Sequence, residues 1–447
     1  MQELTASVES VVASAASFEE FEDGVFAAAC DIARAIAQEA LSAHDDRLAA
    51  HLGQGWRVKD VRTKTVMTRF GPLEISRRRC IDPDGATRYP LDEHYALPAR
   101  CRISPSLERA MVSLSANVSF RDAADVLARL LSAHVSHTAA HALLRRAGKR
   151  LEAQADAAAR DLTELGLDPG GKCPAPRLYC EADGHVISLQ HARARRGEVK
   201  LAAFYTDKRD GIGAVHAGFG PASAFWPRAA AAAGAHYDLS SVREAVVAGD
   251  GARWVRGGLD VLLSSRFQLD PFHIKRAIGR AMGKEASPGA VFDTLYERGP
   301  EAADTMLARF AREHPERSDE IDEVRRYLAS NADGLWREGP GCGTIEGHID
   351  KIIANRMSKR GRRWSPEGAD AMAHVLAASR TRRPLPCGWW QTPKRPGADE
   401  PVRPATAHRC RAAAPGKVTS ARIVSHMTGE SFTRKLRDIA GTRKADY

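Results

Sequence analysis

Hydrophobic positions in the first hundred residues change from a helical to an alternating pattern. Up to about Leu52, apolar side chains recur at helical intervals among acids and alanines, which predicts an amphipathic helix. Apolar and polar residues then alternate over 66–70 and 73–77 on either side of Gly71-Pro72, and Asp84-Gly85 offers a second turn. Residues 1–100 are therefore predicted to form an N-terminal helix followed by a small β meander.

The helical pattern returns over residues 101–170. Ser104 is suited to cap a helix with Pro105 at its first position, and further helices are predicted from Phe120 to Leu131 and from Thr138 to about Leu151. The short connection between the last two is typical of a helix-turn-helix, but a plain three-helix bundle with a basic final helix fits equally well. The side chains predicted to contact DNA from the final helix are Arg145, Arg146 and Lys149.

Strands and helices alternate after the glycine-containing break at 169–172. Strands are predicted at 178–182, 185–189, 200–205 and 244–248, with a helix-rich stretch before the last of them. The pattern over 255–341 is mostly helical. One more helix is expected from Thr344 to Met357, with Glu346 lying off its apolar stripe. This order of elements indicates an α/β fold.

Composition narrows the class of partner. The 447 residues include 66 lysines and arginines against 56 acids, and the net charge of +10 favours a polyanion such as nucleic acid. The chain shows no apolar run long enough to span a bilayer and no signal-peptide pattern, so we expect a cytoplasmic protein without a membrane partner. The eight cysteines lack zinc-ligand spacing and are expected to be reduced thiols.

Three acidic residues point to chemistry at a metal. Asp183, Asp250 and Glu346 each stand beside small residues where a strand is predicted to end or a helix to begin. Strand ends of an α/β sheet meet at one edge, and a few carboxylates there suffice to hold the two Mg²⁺ ions that phosphodiester chemistry uses. Each acid also has a structural explanation, as a hairpin turn residue, a helix cap and a solvated first-turn acid respectively.

The ordered set of motifs resembles the DDE transposases of bacterial insertion sequences, in the Mutator-related, Lre-type group long known as an uncharacterised protein family. The resemblance covers about residues 20–380. Its motifs are, in chain order, Phe70-Gly-Pro-Leu-Glu74, Ile103-Ser-Pro-Ser-Leu107, Ser119-Phe-Arg-Asp-Ala-Ala124, Glu181-Ala-Asp-Gly-His-Val-Ile-Ser-Leu-Gln190, Gly249-Asp-Gly-Ala-Arg-Trp254, Leu269-Asp-Pro-Phe-His-Ile-Lys275, Glu346-Gly-His348 and Trp364-Ser-Pro-Glu-Gly-Ala369.

The resemblance implies a ribonuclease H-like catalytic core made of 171–254 and 342–380, with a helical insertion at 255–341. Asp183, Asp250 and Glu346 would then be the catalytic, metal-binding triad, and two Mg²⁺ or Mn²⁺ ions the cofactors. Asp270 and His273 match the Asp-x-x-His signature of Mutator-like enzymes and become candidate catalytic residues. Without the resemblance, this spacing is more typical of a helix cap and a packed histidine.

The implied activity is DNA strand cleavage at the ends of the element and transfer of the freed 3′-hydroxyl to target DNA. The implied partners are terminal inverted repeats, target DNA and further copies of the chain, in a bacterial, nucleoid-associated setting. Residues predicted to contact the DNA backbone after the third acid are Arg356, Lys359, Arg360, Arg362 and Arg363. Residues 381–447 are predicted to be a basic, unstructured tail. The alternatives are a catalytically silent DNA-binding derivative and a ribonuclease H-like nuclease.

Overall fold

The protein is described from a computed structural model that covers residue 13 and residues 15–283, 287–336 and 342–386. These residues fall into two compact units, which divide between Val135 and Ser136. Almost all of the predicted basic tail lies outside the described residues. Within the described ranges, no helix is both long enough and apolar enough to cross a membrane.

The first unit combines a long helix with a small antiparallel sheet. Its elements are α1 (Phe18–Ala50), β1 (Arg57–Thr68), β2 (Gly71–Ile81), β3 (Thr87–Arg88), α2 (Pro90–His94), α3 (Pro105–Asn117) and α4 (Phe120–Leu130). The predicted meander is confirmed, because β1 and β2 pair around the turn between Thr68 and Gly71 and β3 pairs with β2. Alternate residues of the hairpin, Val66, Leu73 and Ile75, pack against α1 and form a small core.

Local capping signals place the helices that follow. The Ser104 hydroxyl accepts the Leu107 amide at 3.3 Å, and Pro105 is the first residue of α3, as predicted. Ser119 caps α4 in the same way through the Asp122 amide. The predicted helices of this region are therefore confirmed, whereas their grouping as a helix-turn-helix stays a prediction.

The second unit is built on a mixed five-stranded sheet. Its elements are α5 (His137–Thr163), β4 (Cys173–Pro174), β5 (Arg177–Ser188), β6 (Arg196–Tyr205), β7 (Ala214–Gly218), α6 (Ala222–Gly234), β8 (Tyr237–Asp238), β9 (Glu244–Gly249), α7 (Arg253–Arg256), β10 (Ser265–Leu269), α8 (Pro271–Met282), α9 (Pro288–Glu297), α10 (Pro300–Glu313), α11 (Ser318–Ser330), α12 (Ile345–His348), a π-helical turn (Ile349–Ala354), α13 (Asn355–Met357) and α14 (Pro366–Arg380). The mixed α/β class is thus confirmed.

The order of the main sheet is β10-β9-β5-β6-β7. β6 is antiparallel to its neighbours β5 and β7, whereas β5, β9 and β10 are parallel. Side chains of β5 alternate between two environments: Leu178, Cys180 and Ala182 enter the main core, and Tyr179 packs on the other face in a smaller cluster with Tyr205 and Cys342. Glu181 and Asp183 share the face of Tyr179 by this alternation.

The turn predicted at Asp183-Gly184 is wrong, because both residues lie within strand β5. Rather than two short strands, Arg177–Ser188 is one strand that pairs with β6 along residues 179–188 and with β9 along residues 177–181. The strand β9 lies far away in sequence, and the ladder hydrogen bonds with β6 and β9 outweigh the local turn preference of an Asp-Gly pair. The connection to β6 lies at residues 189–195. Asp183 is therefore held inside a strand, not at its end.

Helices of the second unit partly follow the sequence pattern. The stretch 255–341, predicted to be a helical insertion, contains helices α8 to α11 but also strand β10 of the main sheet. Strands β7 and β10 have five residues each, which is too short to be recognised from periodicity. Helix α5 continues to Thr163, well past the predicted end, because it packs along α14 and α6. At the contact with α14, a Cβ on Gly148 would lie 2.4 Å from the Cα of Ala371, so only glycine allows this approach.

Candidate metal centre

Three side chains from distant parts of the chain converge beside the sheet. They are Asp183 on β5, His273 in the first turn of α8 and Glu346 in α12. One ligand atom from each lies within 4.8 Å of the other two. Among the described residues, this is the group of histidine and acidic side chains whose spacing could hold a metal ion. The structure thus brings together two of the three predicted triad acids.

Asp183 is the least solvated member of this group, with an exposed fraction of 7%. Burial raises the pKa of its carboxyl to about 6, and the charges of Asp250 and Glu346 act in the same direction. His273 and the Gly184 amide, which donates to Asp183 Oδ1 at 2.7 Å, only partly oppose this rise. A buried carboxylate surrounded by other carboxylates gains from any cation that binds between them.

Asp250 follows β9 and contributes its charge from the edge of the group. Its Oδ1 accepts the Ala252 amide at 2.9 Å, and its main-chain carbonyl accepts the Tyr327 hydroxyl at 3.0 Å. The helix-cap explanation of Asp250 is therefore wrong, because the N-cap residue of α7 is Ala252 and no side chain caps that helix. The bond from the Ala252 amide forms a turn before α7. This turn does not exclude the metal role, since the Asp250 charge also raises the pKa of both Asp183 and His273.

His273 and Asp270 form a hydrogen-bonded pair. Asp270 caps α8 and is 1% exposed, its own amide donates to the Gly249 carbonyl, and its Oδ2 lies 2.7 Å from His273 Nδ1. Burial by itself would lower the pKa of His273, but the hydrogen bond to Asp270 and the charges of Asp183 and Asp250 outweigh it and the pKa is raised. The sequence resemblance makes His273 a candidate catalytic residue, and the structure places it within the group itself.

Two further residues of β5 lie on either side of Asp183 along the strand, and neither of them has a role predicted from the sequence. Glu181, two positions before Asp183, accepts hydrogen bonds from Gly343 and Thr344, just before α12. His185, two positions after Asp183, lies with Nε2 at 2.6 Å from the Ser358 hydroxyl. The signal that could have found them is the period of two along a strand, which places residues 181, 183 and 185 on one face.

The basic residues predicted to bind DNA after Glu346 lie in different environments. Arg356 lies inside the protein and not on its surface, where the sequence prediction placed it. It is 4% exposed, and its guanidinium lies 5.0 Å from the centre of the Trp364 ring. Arg362 donates to the carbonyls of Asn355 and Arg356, and Lys359 pairs with Asp350. Arg363 is exposed, and the side chain of Arg360 is outside the described residues.

The basic residues predicted to bind DNA from α5 lie along a helix that packs within the second unit. Arg146 and Lys149 are exposed, and Arg145 is half-buried. Leu143, Leu144 and Ala147 form the buried side of the same helix. These positions leave Arg146 and Lys149 on the solvent side of α5.

Comparison with known proteins identifies relatives along most of the chain. The profile of a family described as "Uncharacterised protein family (UPF0236)" matches residues 12–391. A protein named "UPF0236 protein in vanSb 3′ region", from Streptococcus gallolyticus, is 24% identical over 358 residues, which are 74% of this chain and 76% of that protein.

A second relative comes from Caldanaerobacter subterraneus subsp. tengcongensis. This UPF0236 protein is 30% identical over 154 residues, so the match spans about a third of the relative, 32% of its length and 32% of this chain. Its name joins eleven locus designations of that organism. Another UPF0236 protein of the same organism, whose name joins four designations, is 30% identical over 155 residues, 32% of each chain.

Proposed function

This chain belongs to the uncharacterised protein family UPF0236, and we propose that it is a metal-dependent DNA transposase of a bacterial insertion sequence. The observation that carries the proposal is the meeting of Asp183, His273 and Glu346 beside the sheet, with the charge of Asp250 acting on the same place. Carboxylates so arranged are the ligands that Mg²⁺ and Mn²⁺ prefer. Structural ion pairs, in contrast, would have an arginine or lysine among the acids.

The order of the sheet supports this proposal. Three antiparallel strands, β5 to β7, followed by the parallel strands β9 and β10, are the order expected of the ribonuclease H-like core that the sequence resemblance implies. The first acid then lies on the first strand of the core and the second acid follows β9. Helices α8 to α11 separate the second acid from the third, as a helical insertion would.

The donor set fits one or two divalent cations. Asp183 and Glu346 would hold a cation directly, and Asp250 would join them or bind a second ion. Once bound, such ions stabilise the negative charge that develops on phosphoryl oxygens during phosphodiester cleavage and transfer. The fit rests on the spacing of the ligand atoms of Asp183, His273 and Glu346, which lie within 4.8 Å of one another, and on the burial of Asp183.

His273 would act on the substrate rather than on the metal alone. Its Nδ1 faces Asp270, so Nε2 is the ring nitrogen that can donate a hydrogen bond to a phosphate oxygen. The pKa of His273 is raised by the hydrogen bond to Asp270 and the nearby acids, which favours the cationic form of the ring, and the buried Asp270 fixes the ring orientation. Together they would position the phosphate that is attacked.

The name of the Caldanaerobacter relative supports a mobile element. One protein name that joins eleven designations of one organism is what repeated copies of a gene would give, and repeated transposition produces such copies. Nucleic acid as substrate also agrees with the net charge of +10. Arg146, Lys149, Lys359 and Arg363 are the exposed members of the proposed DNA-contacting set among the described residues, and the proposed helix-turn-helix consists of α4 and the start of α5.

A strand-cleavage assay tests the proposal. Inverted repeats that flank the gene supply the DNA substrate, and the full chain is assayed with Mg²⁺ or Mn²⁺ for nicking and for joining of the 3′ end to a target plasmid. We expect both activities, and we expect Asp250→Asn to lose at least about 10³-fold of the rate while binding the same DNA. Binding with no cleavage would identify a silent DNA-binding derivative, and cleavage without joining would identify a nuclease.

A further inference from the structure

Glu181 has an unusual environment for a carboxylate. It lies on β5 with an exposed fraction of 1%, and no arginine or lysine pairs with it among the described contacts. Its donors are instead neutral groups: Oε1 accepts the Gly343 amide at 2.8 Å and the Tyr205 hydroxyl. Oε2 accepts both the amide and the hydroxyl of Thr344, each at 2.8 Å. Burying a charge costs free energy that these four hydrogen bonds offset.

The residues that Glu181 holds lie directly before the third acid. Gly343 and Thr344 precede α12, and Glu346 is the second residue of that helix. Asp183 is two residues beyond Glu181 on the same face of β5. Glu181 therefore connects, through one side chain, the strand that carries the first acid to the start of the helix that carries the third.

Neighbouring contacts hold the same segment from other sides. Lys208 Nζ donates to the Cys342 carbonyl at 3.0 Å. Gly343 has a φ of +115°, which is strained for any other residue, and a Cβ there would lie 3.4 Å from Asp270 Oδ1. The segment 342–344 is thus held by Glu181 and Lys208 and lies close to Asp270, so a shift of this segment would move Glu346.

We infer that Glu181 is a positioning residue, whose carboxylate sets the place of Glu346 relative to Asp183 and thereby the divalent-cation affinity of the centre. The inference rests on the proposed function only as far as the centre binds a divalent cation. Glu181 does not touch the cation or the substrate. A group that orients a metal ligand typically contributes about 10- to 100-fold in metal affinity.

Glu181→Gln tests this role with little change of volume. The amide oxygen can still accept from one pair of donors, but the amide nitrogen cannot accept from the backbone N–H of the other pair, so Gly343 or Thr344 loses its main-chain hydrogen bond to the side chain at position 181. We expect the variant to bind Mn²⁺ at least about 10-fold more weakly than the unaltered chain by titration calorimetry. Asp370→Asn is the matched control, because Asp370 Oδ1 accepts the Phe219 amide at 2.7 Å in the same unit, away from residues 342–346.

The outcomes separate this inference from the proposed function. Failure of the unaltered chain to bind Mn²⁺ would overturn both. If the unaltered chain binds Mn²⁺, two results would overturn the positioning role alone. One is equal affinity in folded Glu181→Gln, and the other is a loss of affinity in Asp370→Asn as large as that in Glu181→Gln. If Glu181→Gln does not fold, Thr344→Val removes only the hydroxyl donor. We expect it to weaken Mn²⁺ binding several-fold with Thr344→Ser restoring the affinity, and unchanged binding in Thr344→Val would overturn the inference.

Discussion

Replacement of Asp183 by asparagine should stabilise the cation-free protein while removing its affinity for divalent cations. The reason is that the buried Asp183 carboxylate costs free energy in the fold, mainly through desolvation and then through repulsion from Asp250 and Glu346. An asparagine side chain has nearly the same shape without the charge. The stabilisation and the loss of binding would thus arise from one property of the site.

The size of the effect follows from the pKa. A rise from the ordinary value of 3.8 to about 6 corresponds to up to about 3 kcal/mol, at about 1.4 kcal/mol for each pH unit. Because the folded pKa is higher than the unfolded pKa, folding favours the protonated carboxyl. The cost is therefore absent below about pH 4, grows between pH 4 and 6, and is complete above pH 6.

Denaturant unfolding in EDTA at pH 4.5 and at pH 8 measures this cost. We expect Asp183→Asn to unfold at higher denaturant concentration than the unaltered chain at pH 8, and the difference to shrink at pH 4.5. Asp207→Asn serves as a control for a carboxylate whose oxygen accepts a backbone amide in an exposed hydrogen bond, since Asp207 Oδ1 accepts the Arg209 amide at 2.8 Å. A destabilised Asp183→Asn at pH 8, or a difference that does not change with pH, would refute the electrostatic reasoning.

Three other predictions concern cation binding, the histidine pair and a helix contact. Mn²⁺ at about 100 times its dissociation constant should raise the free energy of unfolding by about 2.7 kcal/mol in the unaltered chain and not in Asp183→Asn, as thermal unfolding would show. The pKa of His273, followed by NMR in EDTA, should lie above its usual value of 6.5 and should fall in Asp270→Asn, because the hydrogen bond to Asp270 is the main interaction that raises it against the effect of burial. The pair therefore stabilises the fold below pH 6.5 and loses this contribution as the pH rises through the folded pKa of His273. An unchanged His273 titration would contradict this. Gly148→Ala should destabilise the protein by about 1–3 kcal/mol, because the new Cβ would lie 2.4 Å from the Cα of Ala371. Gly279→Ala is the control and should not destabilise the protein, since nothing lies within 4 Å of a Cβ there. Equal stabilities of the two variants in denaturant unfolding would contradict the contact.

The sequence by itself determined those helices, turns and caps that form through interactions between residues close together along the chain. The cap at Ser104, the β1–β2 hairpin and the helices α8 to α11 follow from side chains within a few positions of one another. The acids Asp183, Asp250 and Glu346 were also identified from sequence, through the order of the motifs that surround them.

Only the tertiary structure decided what those acids meet. Whether Asp183 lies in a turn or in a strand depended on pairing with β6 and β9, and local preference favoured the wrong answer. His273 joins Asp183 and Glu346 from a separate helix, and Glu181 reaches Thr344, 163 residues away along the chain. Hydrogen bonds and charges act over a few ångströms in space whatever the separation along the chain, so the packing of β5, α8 and α12 decided which residues form the centre.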